Sequence, residues 1–441
     1  MRRKRSSWIT IAYFWGLWIA TALILSILPI ESKFQNFIET IMIIIAFIAI
    51  VSIVGVFWSY TPMVVLRHKP RKLMTNKKLI FIVYFSIIVS ILGVAVVLWD
   101  RIAVRGIDYS LGLRNARYQW LNSGNVGSIW GKIGNIMIPF SYCALFMGIF
   151  HWENLKRYQG VLSILIGFGV QAAFAMINGG RSNILVSGVF AFSTCVLRKT
   201  QGKSFIPKIR GLVIYVALVI VLLFSYVSSI FYAFADNDVD YLIKITDGLG
   251  AQVKEGYINN SNLLINTIIE IVLYILHGVY YVGAVILNQP QVVDINKNMS
   301  LRQVFVFAGR LHLIDYNMEL PSFDGGGGNF VALPGILLYD YGYLGFIFTS
   351  VILGMLLGTA MKYMNRKSHN LTNFETVFCI VVLMHIYMSM IGMALGLGYF
   401  VFMVAAMILM EIIAGCRYGY SGWTMFENCC MVSGGNNERE N

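Results

Sequence analysis

GVLSILIGFGVQAAFAMINGGRSNILVSGVFAFSTCVL, residues 160–197, holds one charged residue, Arg181, in 38 positions. As a single helix the run would be ~57 Å long at ~1.5 Å per residue, nearly twice the ~30 Å of bilayer hydrocarbon. Two short helices turning at Asn178-Gly-Gly-Arg-Ser-Asn183 fit instead, with Gly179 and Gly180 supplying the conformational freedom. Arg181 then sits at the end of a hairpin near headgroup level, beside the free N–H groups of the next helix start, a setting that suits an anion.

The rest of the chain has the same character. Of its 441 residues 58% are hydrophobic and 12% charged, and the mean hydropathy is +0.70. Soluble domains are ~45–50% apolar and ~25% charged, so the composition excludes a soluble enzyme and predicts one polytopic membrane domain over 1–441. The net charge of +13 would suit nucleic acid if the basic residues formed a patch, but they mark topology instead. MRRKR precedes an apolar run from Trp8 to Ile30 with no small-residue cleavage site, predicting an uncleaved first helix and a cytoplasmic amino terminus.

Ten spans are predicted, at about 8–30, 38–66, 79–99, 133–150, 160–178, 183–197, 211–234, 340–361, 373–393 and 394–414. Lys and Arg test this arrangement, because they concentrate on the cytoplasmic side. The segments assigned inside hold 22 of the 34, among them RHKPRKLMTNKK and RKTQGKSFIPKIR, although the outer segments contain more residues. Both termini fall inside, with a cytoplasmic tail at 415–441. Two outer segments are long, 100–132 and 235–339, and are too rich in aromatics for disorder. Residues 263–287 are apolar enough to cross, but a crossing there would move MKYMNRK outside. Helices lying at the outer surface are expected instead, with a re-entrant pair as the alternative. No tandem repeat or pair of matched halves is evident.

An anion site of any strength needs more than Arg181. Arg114 and Arg117, three apart, would share a helix face in the first outer segment, and Arg302 and Arg310 bracket QVFVFAG in the second. Several guanidiniums suit a diphosphate, each offering paired donors and a permanent charge. His312 and Asp315 in GRLHLID and Asp324 before four glycines are the candidate bases. His277 reads as a packing residue, and His385 as lining a cavity or pairing with a backbone carbonyl. DNDVD at 236–240 lacks the central glycine of a calcium loop and reads as a solvated loop face. Gly325–Gly328 is no P-loop, since no Gly-Lys-Ser/Thr follows. The six cysteines lie in predicted spans or the tail, so no exported disulfide is expected, and neither metal nor cofactor is expected.

GGRSNILVSGVFAF, NARYQW before the fourth span, one large late outer loop and then NFVALPGILLYDYGYLGFIF occur in the order seen in the Wzy-type O-antigen and capsule repeat-unit polymerases. The chain resembles that family over about residues 100–414. The resemblance implies an all-α inner-membrane glycosyltransferase of GT-C-like architecture acting at the periplasmic face. Such an enzyme moves a growing glycan from undecaprenyl diphosphate onto an incoming lipid-linked repeat unit. Arg181 matches the family's loop arginines by motif, and Arg114 or Arg117 by position only. Partners implied are lipid-linked glycans, a flippase and a chain-length regulator. A polysaccharide flippase or exporter, or an O-antigen ligase, would bind the same donor headgroup.

Overall fold

The computed structural model describes residues 5–62, 76–110, 112–122, 128–178, 182–207, 242–243, 246–258, 263–288, 295–317, 319, 331–365, 373–394 and 398–415. Its helices are α1 (Arg5–Ile27), α2 (Phe37–Tyr60), α3 (Asn76–Trp99), α4 (Leu113–Asn122), α5 (Ile129–Met137), α6 (Phe140–Phe150), α7 (Arg157–Asn178) and α8 (Ser182–Thr200). There follow α9 (Leu263–Leu276), α10 (Tyr280–Leu287), α11 (Arg302–Arg310), α12 (Leu333–Met364), α13 (Asn373–Tyr387) and α14 (Gly398–Gly415).

Seven stretches among the described residues are long and apolar enough to cross a membrane: Ser7–Ile27, Phe37–Tyr60, Asn76–Val104, Ile129–Phe150, Arg157–Asn178, Ile265–Leu287 and Leu333–Met364. Large apolar side chains face outward along them, as at Ile38, Ile53 and Phe57 on α2 and Leu344 and Phe348 on α12. Such continuous apolar surface fits lipid as solvent. The protein is a multi-pass membrane protein built from helices.

Helix packing rests on glycines where backbones approach closely. The most extensive contact is between α2 and α12, and a Cβ at Gly358 would stand 2.6 Å from the carbonyl oxygen of Gly55. Lipid supplies no hydrophobic drive for helix association, so close van der Waals contact of this kind carries it.

Two ends of the bundle are distinguished by their contacts. At the end where α1 starts, here the proximal face, Asn365 donates to Ser7 Oγ at 2.7 Å and Lys362 to Thr61 Oγ1 at 2.7 Å. At the distal face, strand β1 (Ile30–Ser32) pairs antiparallel with β2 (Ala251–Val253) in the register Ile30↔Val253, Glu31↔Gln252, Ser32↔Ala251. This small ribbon departs from the all-α expectation. It arises because the short α1–α2 connection lies extended against the long distal segment, where its backbone groups need partners.

Nine of the ten predicted spans have a helical counterpart; the tenth, 211–234, lies outside the described residues, as does 416–441 of the tail. The differences are local breaks. The span at 133–150 begins at Ile129 and is interrupted at Ile138–Pro139. The helix predicted from 340 begins at Leu333, with Pro334 in its first turn, and kinks at Gly342, whose φ of 65° is open to glycine. The span at 373–393 ends as helix at Tyr387, and Met388–Ala394 is irregular yet, apart from the half-buried Met393, buried.

Residues 263–287 form two helices, α9 and α10, with a break between them. Tyr257 Oη donates to Asn266 at 2.7 Å, and Asn36, just before α2, donates to the Gly283 carbonyl at 2.9 Å. Both ends of the pair are therefore distal, with a break at His277–Val279 between them. Tyr280–Val285 of α10 is buried against α2 and α12. YYVGAVIL is apolar apart from its two tyrosines, and a buried α10 after a break at His277–Val279 fits the re-entrant alternative better than a helix lying flat on the surface. The break is held from inside: Ala332 N–H donates to Gly278 O at 2.8 Å and Leu333 N–H to Ser389 O at 2.7 Å. Three irregular segments thus satisfy one another, as non-helical backbone at membrane depth must.

Candidate functional site

The distal end of α3 is where charge enters the bundle. Its last turn widens into a π-helix over Asp100–Val104, so Arg105 N–H reaches back to the Asp100 carbonyl at 3.0 Å. The extra residue per turn re-aims the side chains at the helix end, a distortion found often at functional sites. Asp100 and Arg101 are both buried, at 1% and 6% exposure. Asp100 Oδ2 accepts from Arg105 Nε at 3.1 Å and lies against Gly131 of α5, where a Cβ would come within 2.8 Å of it.

Arg101 crosses from α3 to two other elements. Its Nη2 donates to Asn178 Oδ1 at 3.0 Å, and its guanidinium lies 4.0 Å from the centre of the Trp120 ring on α4. The surrounding chain is fastened to the same place: Tyr109 Oη donates to the Ile177 carbonyl at 3.0 Å, and Asp108 N–H to Gln119 Oε1 at 2.9 Å. Ser110 hydrogen bonds hold the exposed Asp108 carboxyl below its usual range, and burial raises the Tyr109 phenol above its own. Residues 100–110, Gln119, Trp120 and the end of α7 therefore meet in one place.

That site is incomplete in its hydrogen bonding. Arg101 Nε and Nη1 and Asp100 Oδ1 are buried and have no partner. Each such group costs ~1–3 kcal/mol, more when charged, unless something pairs with it. Sequence reasoning missed Arg101 and Arg105, because they follow an apolar run directly and read as ordinary flanking charges.

The predicted residues divide into two sets. Arg181 follows Asn178 by three positions but lies outside the described residues, as do Asp324, DNDVD and the tetraglycine. Arg114 and Arg117 are on α4, which rests on α7; Arg117 is exposed, and the side chain of Arg114 is outside the described part. The second set belongs to α11, which packs on Ile295–Lys297. There the buried Asp340 of α12 accepts from Met299 N–H at 3.0 Å and Ser300 N–H at 2.7 Å, fixing the chain just before Arg302. Burial lowers the Arg302 guanidinium pKa, the Tyr316 phenol opposing that shift. Arg310 ends α11, its side chain also outside the described part.

His312 has a structural reason to be where it is. Its φ is 55°, and it occupies the left-handed position after α11, with His312 N–H donating to Gly309 O and Leu313 N–H to Ala308 O, both at 3.0 Å. These are the two bonds of a Schellman cap. His312 and Asp315 are exposed. His277 and His385 are buried as expected, donating from Nδ1 to the carbonyls of Tyr274 (2.9 Å) and Val381 (2.9 Å) respectively.

Among the described residues no group of three or more His, Cys, Asp or Glu side chains could hold a metal ion. Searches of protein families, of curated proteins and of solved structures find no match to the chain.

Proposed function

We propose that the protein is a Wzy-type membrane glycosyltransferase of GT-C-like architecture. In this reading it polymerises undecaprenyl-diphosphate-linked repeat units into O-antigen or capsular polysaccharide at the outer face of the bacterial cytoplasmic membrane. The observation that carries the reading is Arg101, buried at the distal end of α3 with two nitrogens unpaired and bonded to the residue that opens the Asn178–Asn183 turn. Its position ties the first long segment to the end of α7 at Asn178, so that Arg101, Arg105 and the helix carrying Arg114 and Arg117 belong to one end of the molecule. The distal face is then periplasmic, and both termini are cytoplasmic.

The chemistry suits such a site. With a lipid diphosphate as leaving group, arginines that bind the developing negative charge replace a general acid. The acceptor hydroxyl needs a base, a role for His312, Asp315 or Asp324. The bilayer holds both polyprenyl substrates at one depth and so raises their effective concentration. A flippase and a chain-length regulator would be its partners.

One observation favours transport instead. The broken helices at Met388–Ala394 and His277–Val279 resemble the discontinuous helices at transporter binding sites. Purified protein supplied with lipid-linked repeat units in detergent separates the two. A polymerase lengthens the glycan without a membrane gradient, and no lengthening would overturn the proposal in favour of a flippase. Lengthening that occurs only with lipid A-core as acceptor would identify a ligase.

A further inference from the structure

The unpaired atoms at the distal end of α3 are of opposite kinds. Asp100 Oδ1 can only accept, and Arg101 Nε and Nη1 can only donate. A phosphate ester offers acceptors alone: it would satisfy Arg101 but set its own charge against the Asp100 carboxylate. A sugar hydroxyl both donates and accepts, so a sugar ring carries partners for groups of both kinds.

We propose that Asp100, Arg101 and Trp120 form a subsite for the hydroxyls of a sugar ring, beside the arginines that hold the diphosphate. The proposal rests on the glycosyltransferase reading and assigns the sugar a different place from the phosphates. Asp100, Arg101 and Arg105 together carry one net positive charge, and Arg105 already engages Asp100 Oδ2. That pairing fixes the carboxylate with its second oxygen unsatisfied. Trp120 covers the guanidinium from α4, and its ring face would stack on the sugar. Arg114 and Arg117 are on the same helix.

The test is binding of two probes to the full-length protein in lipid nanodiscs: undecaprenyl diphosphate alone, and undecaprenyl diphosphate carrying the native repeat unit of the source cells. Wild-type protein binds both. Asp100→Asn is expected to weaken binding of the glycosylated lipid about tenfold, the loss of one hydrogen bond to a charged group, and to leave the bare lipid unchanged. Because Asp100→Asn also disturbs Arg105, Trp120→Ala is the second variant and should show the same split. Equal losses for both lipids, or glycosylated-lipid binding unchanged in both variants, would overturn the proposal, the latter leaving ordered water as the occupant. Wild-type protein that binds neither lipid overturns the glycosyltransferase reading itself, and the subsite with it.

Discussion

Two buried arginines stand at opposite faces of the bundle, and their surroundings could hardly differ more. Arg198, at the proximal end of α8, is fully buried and every nitrogen is engaged. Nε donates to Ser204 O at 2.7 Å, Nη1 to Ile149 O and Glu153 Oε2 at 2.9 Å each, and Nη2 to Ser204 Oγ at 3.2 Å and to Glu153 Oε1. Arg101, at the distal end of α3, makes one hydrogen bond and stacks on Trp120. A saturated guanidinium joins α6, α8 and the turns beside them; an unsaturated one is held in place for something else. In the proposed reading, buried charge supports the fold at the proximal face and serves a ligand at the distal face.

The largest effect on stability is expected from Arg198→Ala. It leaves two backbone carbonyls without their partner and the Glu153 carboxylate with Lys203 alone, a loss on the order of 3 kcal/mol. Thermal unfolding in detergent, and the yield of inserted protein, read it directly. Arg198→Ala protein as stable as wild type would break the comparison.

Acid should weaken the same face. His151, packed edge-on to Phe150 at 5.1 Å, has its pKa pulled down to about 4 by burial and by Lys203. An unfolded histidine titrates near 6.5, so between pH ~6.5 and ~4 the unfolded chain takes up a proton that the folded one refuses. Stability is complete above that window and falls through it. The melting temperature should drop on going from pH 7.5 to 5, and His151→Asn should flatten that part of the profile. A wild-type melting temperature that does not change with pH would contradict the assignment.

The smallest effect concerns the distal loop. His312→Gly should leave stability unchanged or raise it by up to about 1 kcal/mol, because glycine is favoured at a left-handed cap. Measured beside glycan lengthening, this variant separates a base from a cap: activity that persists removes His312 from the mechanism.

The hairpin was readable because its logic is local. Thirty-eight nearly uncharged residues must fold back, and α7 ends at Asn178 while α8 begins at Ser182, at the turn that Gly179 and Gly180 mark. What hydropathy hides is where an apolar run stops being regular helix. The kink at Gly342, the irregular Met388–Ala394 and the re-entrant break at Gly278 are stabilised by bonds between segments far apart in sequence. Arg101 was missed for the same reason: its burial comes from the π-turn, from Trp120 nineteen positions on and from Asn178. The extended α12 start carried a signal, since Pro334 favours a helix's first turn.

The central claim is that the distal arginine serves a ligand and the proximal one the fold. The most direct measurement is the glycan made by cells carrying Arg101→Ala as their sole copy, normalised to the amount of protein inserted in the membrane. The account predicts insertion at or above the wild-type level, since the substitution removes two unpaired buried donors at the loss of one hydrogen bond, together with single-repeat or unpolymerised product. Full-length polymer from Arg101→Ala cells, or a loss of inserted protein as great as that caused by Arg198→Ala, would contradict it.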